Sequence, residues 1–140
     1  MLRISNGEDS YKYKIMSSVL KLIENDILPP VFMCIGSDSA TGDILGPKVG
    51  DLLTHKYNIK AFVYGTMQRP LTAANVINIH NFIRRNHTAS KIFAIDSSLG
   101  SEEDNGTINI YKGGLMPAAA LNKELPPVGD YSLTANVNVF

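Results

Sequence analysis

A single three-layer α/β/α domain, built on a mostly parallel sheet flanked by helices, is what the 140 residues predict. Three short apolar runs of strand length carry that expectation: "VFMCIG" (31–36), "KAFVYG" (60–65) and "KIFAID" (91–96). Stretches with helical spacing of apolar residues separate them, and strands alternating with helices imply parallel βαβ units with right-handed crossovers. The composition agrees: 44% apolar and 19% charged residues describe a globular chain. At this length a domain buries roughly two-thirds of its unfolded surface.

In chain order, residues 10–28 place Ile15, Val19, Leu22 and Ile23 at helical spacing, and Pro29-Pro30 ends the pattern. Residues 31–36 form a continuous apolar run, as suits a strand covered on both faces. Leu45, Val49, Leu52 and Leu53 then line one face of a second helix, with Pro47 in its first turn, where a missing N–H does least harm. After the strand at 60–65, Thr72 is a good N-cap for a helix that puts Val76, Ile79, His80 and Ile83 on one face. The strand at 91–96 leads into an acidic loop, "SSLGSEEDNG". "TINIYK" (107–112) alternates like an edge or half-exposed strand. A Gly/Pro/Ala-rich stretch (113–130) precedes a last strand, "YSLTANVNVF". No repeat or linker interrupts the chain, so residues 1–140 read as one domain.

Several function classes drop out. Thirteen basic residues balance thirteen acidic ones, which removes the electrostatic footprint of a nucleic-acid or anionic-membrane binder. The one cysteine, Cys34, lies in an apolar run and suits a packing role in a reducing compartment. The N-terminus has no apolar signal segment, and no run approaches membrane-spanning length. The reading is a soluble cytoplasmic protein with no nucleic-acid or membrane partner, with a homo-oligomer left open.

The stretch "CIGSDSATGDILGPKVG" (34–50) sits between a strand and a helix, where phosphates are often held, yet it carries acids. Gly36 and Gly42 have five residues between them and Asp43 follows instead of lysine, so a nucleotide-triphosphate cradle is rejected. A flavin mononucleotide loop is the nearer contender, through Ser39-Ala40-Thr41-Gly42. That match breaks at Ile44, and the chain has no tryptophan to flank a flavin. Taken singly, Asp43 is a helix cap and Asp96 a carboxylate at a strand end. Together they mean more. In open parallel sheets chemistry gathers at the carboxyl ends of strands, where strand order reverses. In a flavodoxin-like order the first and third strands are neighbours there, so Asp43 and Asp96 should converge on one crevice. Glu102, Glu103 and Asp104 read as a solvated turn rather than a metal site, and neither metal nor cofactor is expected.

These residues also carry a resemblance. "TGDILGPKV" (41–49) resembles the Thr-x-Asp-x-Leu-Gly-Pro-Lys-Val segment of the spore germination protease, and "FAIDSSLGS" (93–101) resembles the strand end that holds its second aspartate. Gly114-Leu115-Met116-Pro117 and Asn122-Lys123 are similar to its Gly-x-x-Pro…Asn-Lys loop. With "LPPVGDYSLTANVN" (125–138), the chain as a whole is most similar to the YyaC-like sporulation proteins, small relatives of that protease in spore-forming Firmicutes. The resemblance covers roughly residues 31–140. It implies the flavodoxin- or phosphorylase-like fold of the hydrogenase-maturation endopeptidases. It implies that Asp43 and Asp96 correspond to two essential aspartates, with small acid-soluble spore proteins as substrates in the forespore or spore core. Met116 and Ala118-Ala119-Ala120 depart from the protease, which has a histidine and a Gly-Ser-Gly run there. The histidines (His55, His80, His87) all precede Asp96, so the nickel-recognising histidine of the hydrogenase-maturation enzymes is not reproduced. The relatives continue into a C-terminal helix, so this chain reads as truncated.

The expected chemistry needs two carboxylates and a water, with Asp43 as base and Asp96 as acid. Gly36, Gly42 and Gly46 are expected to let a protein or peptide substrate approach the backbone, with Thr66, Gly114 and Pro117 completing its site. The rival from another class is a non-catalytic sporulation protein that uses the same fold to bind a partner.

Overall fold

A computed structural model describes residues 1–5, 7, 9–39, 41–117 and 124–137. Ala118-Ala119-Ala120, Asn122, Lys123 and the end of the last strand (138–140) lie outside the described residues. The architecture is α/β: a mixed six-stranded sheet flanked by helices, in the order β1-β5-β6-β4-β2-β3. The strands are β1 (Leu2–Ser5), β2 (Val31–Cys34), β3 (Phe62–Tyr64), β4 (Ile92–Ser98), β5 (Thr107–Lys112) and β6 (Tyr131–Asn136). The helices are α1 (Tyr11–Ile23), α2 (Leu45–Asp51) and α3 (Val76–Asn86).

Four neighbouring strands, β3-β2-β4-β6, are parallel. β5 and β1 extend that sheet antiparallel, so it is not purely parallel. The chain runs from β2 through α2 to β3 on one side, then through α3 to β4 on the other. Strand order therefore reverses between β2 and β4, which pair from Val31↔Ile92 to Cys34↔Ile95. That is the place where open sheets gather ligands.

Three expectations are corrected. The N-terminal residues form β1, which covers the outer edge of β5 from Leu2↔Ile110 to Ser5↔Thr107. Of the two readings of this strand, the edge is excluded and the half-exposed one stands: β5 is interior, with Thr107 and Ile110 buried and the residues between and after them partly or fully exposed. Helix α3 starts at Val76, not after Thr72. Thr72 instead closes the preceding turn: its Oγ1 accepts from the Ala74 amide at 3.3 Å, and its own amide donates to Asn75 Oδ1 at 2.9 Å. The largest correction concerns α2. Its buried residues are Gly46, Pro47 and Gly50, whereas Leu45, Val49 and Leu53 are only half-buried and Leu52 is exposed. The apolar stripe misled because this helix docks by its smallest residues.

The core lies between the sheet and α3. Val31, Met33 and Ile35 of one strand line and Ile92 and Ala94 of the next pack with Val76 and Ile83, and Leu71, Leu115 and Val128 close the cluster. On the alternate residues Phe93 is fully buried and stacks on Tyr131 with ring centroids 5.1 Å apart. Cys34 is fully buried too, and burial pushes its thiol up to about 12, which suits packing rather than nucleophilic chemistry. His80 accepts a hydrogen bond from the Gly129 amide at 3.2 Å, and burial lowers its pKa. It is a packed histidine.

Arg84 fastens α3 to the approach of β6. Its two guanidinium nitrogens donate to Asp130 Oδ1 and Oδ2 at 2.8 and 3.2 Å, and the Ile92 amide also donates to Oδ2 at 2.8 Å. Burial pushes the Asp130 carboxyl up, but these donors outweigh it and hold its pKa below the ordinary value. A depressed carboxyl stabilises the fold above its unfolded pKa and stops doing so as pH falls through the folded one. Arg84→Ala should therefore cost about 1 kcal/mol at pH 7 in urea unfolding, given that half-exposed pairs are worth little more. The difference between variant and wild type should shrink as the buffer is taken down through the carboxylate range.

Candidate active site

The site is assembled at the carboxyl ends of β2 and β4. Beyond Cys34, the Ile35 amide donates to Ile95 O at 2.8 Å and the Gly36 amide to Leu71 O at 2.9 Å, so the end of β2 is anchored on both sides. Gly36 has φ +149°, and a Cβ there would lie 2.1 Å from Asp43 O and 2.8 Å from Pro47 Cδ. Only glycine allows the chain to turn back this tightly. The Ser37 amide then donates to Asp43 O at 3.1 Å, closing the loop.

Helix α2 presses on the same strand ends. A Cβ on Gly46 would sit 1.9 Å from Ile35 O, and one on Gly50 would sit 1.8 Å from Gly65 O. Two glycines one turn apart thus bring the helix backbone against the backbones of the β2 and β3 lines. This close docking carries the 3-10 turn Thr41–Ile44, and with it Asp43, over β4.

Asp43 is half-buried, and its Oδ2 accepts a hydrogen bond from Ser37 Oγ at 2.7 Å. Asp96 lies on β4, on the same face as Ile92 and Ala94, and only 8% of its surface is exposed. The Ser97 amide donates to its Oδ1 at 2.7 Å. Burial is the largest influence and pushes the Asp96 carboxyl up to about 7; the Ser97 amide opposes that and the nearby Asp43 charge adds to it. The structure therefore brings the two acids into electrostatic contact. At neutral pH Asp96 is poised to hold a proton.

The other sequence-derived positions fall as follows. Gly36 and Gly46 make room for the protein's own backbone, and Gly42 is half-buried in the 3-10 turn beside Asp43. Thr66 sits in the loop after β3, where its amide donates to Arg69 O and its Oγ1 accepts from the Arg69 amide. Gly114 packs against Pro127 in a short ribbon held by the Leu115↔Val128 bridge, and Pro117 at its end is fully buried. The hydrogen bonds of that ribbon run to Val128 and Asp130, not to either aspartate. Glu102, Glu103 and Asp104 form a 3-10 turn in which Asp104 pairs with Arg3 and accepts from Ser101. Among the described residues, no three His, Cys, Asp or Glu side chains are grouped to hold a metal ion.

Sequence reasoning missed Ser37 and Gly50. The signal for Ser37 was its position just past Gly36, where a hydroxyl can reach back across the loop. Gly50 was findable as the second glycine on one face of a short helix.

A family model described as "Protein of unknown function (DUF1256)" matches residues 3–140. The chain is 40% identical over 111 residues to "Uncharacterized protein YyaC" of Bacillus subtilis (strain 168). That match covers 79% of this chain and 54% of the relative, so the chain spans about half the length of the curated relative it matches. No solved structure matches. Among the described residues, no helix is long and apolar enough to cross a membrane.

Proposed function

Since this chain belongs to the family described as "Protein of unknown function (DUF1256)", its chemistry has to be read from the site, and we propose that Asp43 and Asp96 form an acid–base pair that hydrolyses peptide bonds. The observation that carries the reading is Asp96: a carboxyl buried at the reversal of strand order, raised to about 7, with the Asp43 charge among the causes. Perturbed carboxyls in such places are candidates for catalysis. Asp43 takes a proton from the attacking water, and protonated Asp96 gives one to the carbonyl oxygen or the leaving amine. The proton Asp96 loses is replaced through the one Asp43 gained, so the pair returns to its starting state.

By resemblance to the germination protease, the substrates are proteins or peptides of the small acid-soluble spore class, met in the forespore or spore core. The same resemblance supports a three-layer arrangement related to the hydrogenase-maturation endopeptidases. The flavin reading loses support, because the loop it needs for a phosphate carries the Asp43 carboxylate bonded to Ser37. Partner binding remains the second reading. The exposed Tyr13, Met16 and Leu20 on α1, a helix with no fully buried residue, favour it.

The test is incubation of the chain with small acid-soluble spore proteins across pH 5 to 8. Cleavage should occur, fall off as pH rises through about 7, and drop at least about 1,000-fold in Asp43→Asn and Asp96→Asn. Intact substrate throughout, or cleavage that survives both substitutions, rules the peptidase reading out.

A further inference from the structure

We propose that Ser37 is the positioning residue of the pair: its hydroxyl, itself held by Ser39, orients the Asp43 carboxylate as the proton acceptor facing Asp96. The inference rests on the acid–base reading of the two aspartates given above.

Hydrogen counting supports it. Ser37 has one hydroxyl hydrogen, and it points to Asp43 Oδ2 at 2.7 Å. The contact between the Ser37 and Ser39 hydroxyls must therefore have Ser39 as donor. The Ser39 amide also donates to Ser37 Oγ, at 3.3 Å. Two donors feed the Ser37 oxygen from one side while its own hydrogen faces the acid. Turning its hydrogen away gives up the bond to Asp43, and moving the oxygen gives up the two contacts with Ser39 as well. A donor fixed in this way engages one oxygen of the Asp43 carboxylate and sets the orientation of the group.

The same residue also closes the loop through its backbone, because the Ser37 amide donates to Asp43 O at 3.1 Å. That bond and the turn at Gly36 do not depend on the side chain. Removing the hydroxyl should leave the loop closed while freeing the carboxyl to rotate. A role in loop closure alone and a role in orienting the base thus predict different results for Ser37→Ala. The other charged groups of these elements, Asp38 in the loop and Lys48 and Asp51 on α2, are the same in every variant compared.

Steady-state cleavage by wild type, Ser37→Ala, Ser37→Cys and Ser37→Thr tests the inference, together with carboxyl carbon-13 titrations of the same proteins. Ser37→Cys keeps the side-chain size with a weak donor, and Ser37→Thr keeps the hydroxyl. The alanine and cysteine variants should lose roughly 10- to 100-fold in kcat with KM unchanged, and threonine should restore most of it. The Asp96 midpoint should stay at about 7 in all four proteins, because burial is its main cause and burial is unchanged. Absence of cleavage by all four proteins removes the peptidase reading and the positioning role with it. Cleavage in wild type with kcat unchanged in Ser37→Ala overturns the positioning role and leaves the acid pair standing. A loss in Ser37→Ala that Ser37→Thr does not restore overturns it as well.

Discussion

Asp96→Asn should make the protein more stable than wild type at pH 8, by on the order of 2 to 4 kcal/mol, with the advantage gone by about pH 4. The sign follows from the direction of the shift. Folding raises the Asp96 carboxyl from 3.8 to about 7, chiefly by burial. Between those values the folded chain holds a proton that the unfolded chain has released. Wild-type stability therefore falls as pH rises through this window, and above pH 7 the cost of a buried carboxylate is fully present. Asparagine is neutral and keeps an oxygen for the Ser97 amide, which now donates to Oδ1 at 2.7 Å. It removes the cost without opening a cavity. Urea unfolding at pH 4, 6 and 8 measures the difference directly. A variant that is less stable than wild type at pH 8 would show that Asp96 is held as a stabilised carboxylate, with no reserve proton for catalysis. Residues that trade stability for function commonly behave in this way, gaining stability when replaced.

Gly46→Ala should cost more than about 3 kcal/mol, and unfold the chain outright if its stability is ordinary. The new methyl would lie 1.9 Å from Ile35 O and 2.6 Å from Ile35 C, which are backbone atoms of the β2 line and cannot rotate aside. Either α2 lifts away from the strand or the strand end moves. Both displace the turn that carries Asp43. Elsewhere in a helix the same substitution helps, by up to about 1 kcal/mol, because alanine is the better helix former. The sign of the result therefore reads the docking of α2, and thermal or urea unfolding of Gly46→Ala supplies it. A neutral or stabilised variant would mean that α2 does not sit against Ile35. Activity should fall with stability here, whereas Asp96→Asn should separate the two.

The sequence exposed the placement of the two acids better than the packing around them. Parallel strands at 31–36 and 91–96, with one acid in the loop after the first and one ending the second, sufficed to bring Asp43 and Asp96 towards one place, because a reversal of strand order leaves those strands few places to go. What hydrophobic periodicity could not show was how α2 docks. Leu45, Val49, Leu52 and Leu53 make a helical stripe, yet the buried side consists of Gly46, Pro47 and Gly50. Glycine carries no hydropathy signal, and its value here is the absence of a side chain. Strand β1 escaped for a different reason: four residues, Leu2–Ser5, are too few to show a period, and they become a strand only because β5 offers them an edge. Ser37 escaped because its role depends on a turn that brings residues six apart into hydrogen-bond contact. α3 starts three residues later than its sequence suggests, since Thr72 and Asn75 close a turn that leads into the helix.

The central claim, that Asp43 and Asp96 act as one unit, is tested most directly by the carboxyl carbon-13 titration of Asp96 in wild type and in Asp43→Asn. The wild-type midpoint should lie at about 7. In Asp43→Asn it should fall while staying above the ordinary aspartate value of about 4, because the neighbouring charge is gone and the burial remains. A wild-type midpoint near 4, or a midpoint that Asp43→Asn leaves unmoved, would contradict the account.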